Sequence, residues 1–91
     1  SKLIYCEAED KYQRLYLENG ERLLVRISGT ELYKLLSEFG SFYHCGRAHI
    51  INLNHISRVT QSGAEFKNDM QLNLPHTVLA GLRSAFFDYF N

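Results

Sequence analysis

Apolar and polar positions alternate along most of this chain, and two stretches break the rule. Tyr12, Arg14 and Tyr16 alternate with Gln13, Leu15 and Leu17. The chain then turns at Asn19-Gly20, the strongest short hairpin signal. Beyond the turn Leu23, Val25 and Ile27 alternate with Arg22, Leu24 and Arg26. With the preceding KLIYCEAE, this predicts two or three antiparallel strands. The two-residue period returns from Ser41, in SFYHC, AHIINL, HISRVT, AEFKN and MQLNL, with Ser62-Gly63 and Asn68-Asp69 as turn-prone breaks. AEFKNDMQLNL reads as a tight hairpin.

The two exceptions have helical spacing. In SGTELYKLLSEFG, Ser28 and Glu31 stand at capping-box distance, and Thr30 is a competing cap. Leu32, Leu35, Leu36 and Phe39 make one apolar face, and Gly40 is placed to end the helix in a left-handed conformation. After Pro75, Thr77 can cap a terminal helix whose apolar stripe is Val78, Leu82, Phe86 and Tyr89, flanked by Leu79, Ala85 and Phe90. The pattern predicts a mainly β domain with two short helices. Residues 1–91 contain no repeat, low-complexity tract or linker, so one domain is expected.

Composition narrows the class. The chain is 45% hydrophobic and 22% charged, the balance of a packed globular domain. No apolar run approaches the ~20 residues that span a bilayer, and no secretory signal pattern opens the sequence. The abrupt start at Ser1 suggests a piece of a longer protein. Cys6 and Cys45 could pair, but a core of this size needs no staple and a reduced, cytoplasmic setting is favoured. Net charge is zero, which argues against a partner held by bulk electrostatics. The distribution says more: five of the ten acids fall within the first 21 residues, and none lies between Glu38 and Glu65. Arg47, Arg58, His44, His49 and His55 all lie in that acid-free interval.

Catalytic chemistry finds no support. A phosphate-binding glycine loop, G-x-S-x-G and H-E-x-x-H are all missing. Glu7, Glu9 and Asp10 read as a solvated loop, and His44 beside Cys45 on a strand would face the opposite way. Cys45, His49 and His55, with His44 or His76, match no zinc spacing, so neither metal nor cofactor is expected. Neither helix suits helix-turn-helix reading: the first is followed by strands, and the second offers Arg83 as its only basic side chain. DNA reading would fall to loops or strand ends. Arg47, in a Gly-Arg turn, has a planar fork suited to a guanine edge or a phosphate. Lys11, Tyr12, Gln13 and Arg14 form a second polar segment.

The order of these motifs resembles the LytTR family, the DNA-binding output domain of many bacterial response regulators. IYCEAEDKYQRLYLENGERLLVRIS is similar to the family's first hairpin, with an E-A-x-x-x-Y lead-in ending at Tyr12. Residues Gly46 to Asn52, closed by Ile56, occupy the motif H-R-S-Y-I-V-N-x-x-x-I, and LNLPHTVLAGL resembles the closing I-P-V-S-R segment. The resemblance implies antiparallel strands in several small sheets, and loops placed in successive major grooves of double-stranded DNA at direct-repeat promoter sites. It implies a dimer on DNA and a receiver or sensor domain earlier in a longer regulator. By position, the contact segments are Lys11, Tyr12 and Gln13; His44 to Ala48, with Arg47 reading bases; and His76, Thr77 and Val78. Ile50, Ile51 and Ile56 are the expected anchors of the central motif, with Asn52 and Asn54 holding its turn. The chain departs from the family at Gly46 and Ala48, which flank the retained arginine, and at Val78, where a basic residue is usual. These losses imply weaker phosphate contact, a different site sequence, or a β-rich module that has turned to protein partners.

Overall fold

The computed structural model describes residues 2–91. Eight strands form two antiparallel sheets. β1 (Leu3–Glu9), β2 (Tyr12–Leu17), β3 (Arg22–Val25), β4 (Phe42–Cys45) and β5 (His49–Asn52) make a five-stranded sheet in the order β3-β2-β1-β5-β4. β6 (Ile56–Val59), β7 (Gly63–Phe66) and β8 (Gln71–Asn73) make a three-stranded meander. The helices are α1 (Gly29–Leu36) and α2 (His76–Phe90). The expected fold class is therefore observed.

The central strands of the larger sheet, β1 and β5, are covered on both faces, as their unbroken runs of buried residues require, whereas β3 is exposed. On one face α1 packs over Leu3, Cys6, Phe42 and Ile50, contributing Leu32. On the other, Ile4, Tyr5, Cys45 and Ile51 meet α2 and the small sheet through Leu53, Ile56, Phe66, Leu79 and Leu82. Tyr5 joins the two sheets, stacked between Tyr16 at 4.3 Å and Phe66 at 5.5 Å. Burial, and the neighbouring Tyr16, raise its phenol well above the ordinary tyrosine range. The two cysteines are both free and lie in different cores, on opposite faces of one sheet, so they cannot pair. Burial pushes the Cys6 thiol up to about 12 and the Cys45 thiol up to about 11.

Three expectations about the helices need correction. Leu35 and Phe39 do not join the buried face of α1: they are 63% and 65% exposed. The α-helix stops at Leu36 and continues as a 3-10 turn, Ser37–Phe39, whose tighter winding rotates Phe39 off the stripe. Phe39 rests edge-on against Phe42 instead, ring centres 6.2 Å apart. Ser28, rather than Thr30, caps α1, accepting from the Glu31 N–H, and Gly40 closes the 3-10 turn at φ 77° as expected. In α2 the buried residues are Leu79 and Leu82; Tyr89 and Phe90 are exposed, because the last turn runs past the core. Pro75 occupies the cap position with no side-chain cap bond, so Thr77 lies inside the first turn rather than capping it.

Candidate nucleic-acid interface

Antiparallel pairing decides which turns share an end of the large sheet. Glu7 faces His49, and Cys45 faces His49 from the other side. The β4–β5 turn, Gly46 to Ala48, therefore lies beside the end of β1. The Ala8 N–H donates to the Ala48 carbonyl at 2.8 Å. Glu9 pairs with Tyr12, so the β1–β2 turn, Asp10 and Lys11, projects from the same end. Gly46 also approaches α2: a Cβ there would lie 3.1 Å from Val78 Cγ1, and at φ 64° the backbone favours glycine. All three segments expected from sequence are thus gathered at one end of one sheet.

Helix α1 begins at this end too. A Cβ on Gly29 would lie 3.5 Å from the Gln13 amide nitrogen and 3.7 Å from His44 Nε2. The start of α2 sits against Gly46, so both helices begin near this end of the sheet. At α2 the first-turn amides have no side-chain cap, the arrangement that favours an anion.

The sequence-derived residues separate by what the fold has done with them. Lys11, Arg47, His76 and Thr77 are exposed, and among the described residues Arg47 and Lys11 have no hydrogen-bond or ion-pair partner. Tyr12 is half-buried, with the Arg26 guanidinium 5.9 Å from its ring centre. Gln13 is buried at 4% exposure, so its side chain points into the sheet–α1 junction rather than to solvent. His44 is also tucked inward, its ring 5.3 Å from Tyr33. Ala48 keeps an exposed methyl, but its carbonyl is used in the β1 pairing.

Two charges near this end are internally matched. Arg14 forms a forked pair with Glu9, its Nη2 donating to Oε1 at 3.0 Å. The guanidinium holds the Glu9 carboxyl below the usual carboxylate range, chiefly by hydrogen bonding. Arg14 is thereby removed from the polar segment in which the sequence placed it. His49 Nε2 lies 3.0 Å from Glu7 Oε2, and the histidine is buried. Cys45, His49 and His55 do not come together: among the described residues no three His, Cys, Asp or Glu side chains converge.

Asn52 performs the anchoring expected of it. Its amide nitrogen donates to the Leu3 carbonyl at 2.9 Å, and its side-chain oxygen accepts from the Asn54 N–H at 3.2 Å. Asn54 contributes only that backbone group, and its side chain is exposed. Arg26 is the basic residue that sequence reasoning missed at this end; pairing of Gln13 with Val25 brings it across from Tyr12.

The LytTr DNA-binding domain family model matches residues 1–86. Among solved structures, a LytTr DNA-binding domain from a Bacillus cereus protein described as a methyl-accepting/DNA response regulator superposes with a TM-score of 0.69 at 22% identity. That match covers 92% of this chain and 80% of the other. A comparison with curated proteins finds no match.

Proposed function

The chain belongs to the LytTr DNA-binding domain family, and we propose that the turn-bearing end of its five-stranded sheet reads double-stranded DNA. The observation that carries this reading is the convergence of Lys11, Arg47 and the uncapped start of α2 on one end of the sheet, with Arg47 exposed and uncommitted. Its five N–H groups are free to take a guanine edge in the major groove. Lys11, Arg26 and the His76 and Thr77 amides are placed to take phosphate oxygens beside it. The domain acts by binding, without catalysis, metal or cofactor. It serves as the C-terminal output module of a cytoplasmic bacterial transcription regulator whose receiver or sensor domain brings two copies together. On direct-repeat promoter sites, joining two weakly binding domains raises their effective concentration and makes the pair bind tightly.

One feature favours the alternative of a protein-interaction module. β3 is an edge strand exposed along its whole length, with Leu23, Leu24 and Val25 all solvent-facing. Selection from a random duplex library separates the two readings. Enrichment of a short motif that repeats at helical-turn spacing supports DNA reading; no enrichment even at low salt supports the interaction module.

A further inference from the structure

Helix α2 carries a second polar face beyond the contact segment. His76, Leu79 and Arg83 fall at i, i+3 and i+7, on one side of the helix. With Gln61 from the β6–β7 turn they line an open cleft of about 330 Å³, floored by the buried Leu79. Arg83 Nη2 donates to the Thr60 carbonyl at 3.1 Å. That bond steers the guanidinium over the turn and leaves four of its five N–H groups unspent. The residues lining this cleft include no carboxylate.

A neighbouring cleft of about 290 Å³ shares Gln61 and provides an internal control. Its cation, Arg58, donates Nε and Nη2 to the two carboxylate oxygens of Glu65, each at 3.0 Å. An anion entering there would meet a guanidinium already matched to a carboxylate. The two arginines sit on either side of one turn, and only Arg83 has its charge available.

We propose that the His76–Gln61–Arg83 cleft is an oxyanion site that holds a backbone phosphate of the same duplex whose bases meet Arg47. The proposal rests on the DNA-binding reading and extends it. His76 lines the cleft and lies two residues before Val78, whose side chain faces Gly46, so the cleft adjoins the end of the sheet where the reading segments converge. The arginine fork matches the paired oxygens of a phosphodiester, and the Gln61 amide can donate to the same group. A contact of this kind fixes the orientation of the domain on the duplex and carries no sequence information.

The test is a salt titration of binding to the library-enriched duplex, followed by fluorescence anisotropy. Arg83→Gln is expected to reduce the magnitude of the log K against log salt slope by about 0.9, which is roughly an eightfold loss at about 0.1 M salt. The loss is expected to be equal on cognate and unrelated sequences, and Arg83→Lys is expected to restore the slope. Gln61→Glu leaves the Arg83–Thr60 bond in place and sets a carboxylate beside the guanidinium, so it is expected to weaken binding most at low salt. Thermal unfolding of each variant separates a folding defect from a contact defect. If the unaltered domain binds duplex while Arg83→Gln and Gln61→Glu both keep its slope and affinity, the cleft assignment is overturned and the DNA reading stands. If the unaltered domain binds no duplex at low salt, both fall. Inorganic phosphate distinguishes the source of the anion. Should it shift the NMR signals of the Arg83 guanidinium while Arg83→Gln leaves DNA binding intact, the cleft serves a free anion and the DNA assignment is overturned.

Discussion

The two ends of the five-stranded sheet use their polar groups in opposite ways. At the Asn52 end the polar groups are spent on the chain itself. Asn52 bonds Leu3 and Asn54, the Leu53 N–H reaches the Ser41 carbonyl at 2.8 Å, and the Asn19 side chain bonds Glu21 twice. At the Arg47 end two of the acids are matched internally, Glu9 by Arg14 and Glu7 by His49, while Asp10, Lys11 and Arg47 are left open to solvent. One end fixes the register of the strands, and that frees the other to present charge without collapsing.

Substitutions should therefore sort by end. The largest effect is expected from Asn52→Ala, which removes the bonds to the Leu3 carbonyl and from the Asn54 N–H and releases the turn after β5. It should lower stability by about 2–3 kcal/mol, shifting the unfolding midpoint by roughly 10–20 °C. Base preference, measured on the protein that remains folded, should be unchanged. A shift in preferred sequence would break the division between the ends. Arg47→Ala should do the reverse. Binding to the preferred duplex should weaken by about 1–3 kcal/mol with discrimination lost at one or two base positions, while the melting temperature stays at the wild-type value. Equal binding to every sequence tested would remove Arg47 from the reading set.

A matched pair of glycine substitutions sharpens the contrast. Gly20 and Gly46 both have positive φ, 91° and 64°, so alanine at either should cost roughly 1–2 kcal/mol of stability. Only at Gly46 would the new methyl press on Val78, whereas at Gly20 it meets nothing within 4 Å. Gly46→Ala should therefore also lower DNA affinity by displacing Arg47 relative to α2, and Gly20→Ala should not. Equal affinities for the two variants would show that the Gly46–Val78 contact does not position the arginine. The smallest effect is expected from Lys11→Ala. It should weaken binding evenly across sequences, by roughly eightfold (about 1.2 kcal/mol) at about 0.1 M salt, and lower the salt slope by about 0.9. Sequence-dependent losses would move Lys11 from phosphate contact to base reading.

Much of this arrangement was legible in the sequence, because period-two alternation reports which side chains face a core. The strands and the anchoring by Ile50, Ile51 and Asn52 all followed from residue pattern. What escaped depended on register and on end effects. Asn19-Gly20 announces a turn but not its length. The loop is three residues, with the Leu17 N–H bonded to the Glu21 carbonyl. A two-residue loop would set Tyr12 across from Ile27; the extra residue moves every position of β3 to the other face and puts Arg26 there instead. Burial of Gln13 was hidden for a similar reason, since it depends on where α1 comes to rest. The helical stripes were overextended because periodicity continues through Phe39 and Phe90, while α1 tightens into a 3-10 turn before Phe39 and the last turn of α2 runs past the core.

The placement of the two cysteines has a use of its own. Each core holds one thiol, held in the unreactive protonated form by its surroundings, so a thiol reagent can attack only after that particular core has opened. In a single native sample the labelling rates of Cys6 and Cys45 are two separate clocks, one for release of α1 and one for parting of α2 from the sheets. If the sheet opens from one face first, the two rates will differ; if the domain unfolds only as a whole, they will agree. Followed with and without DNA, the same pair of rates would report which helix the bound duplex steadies.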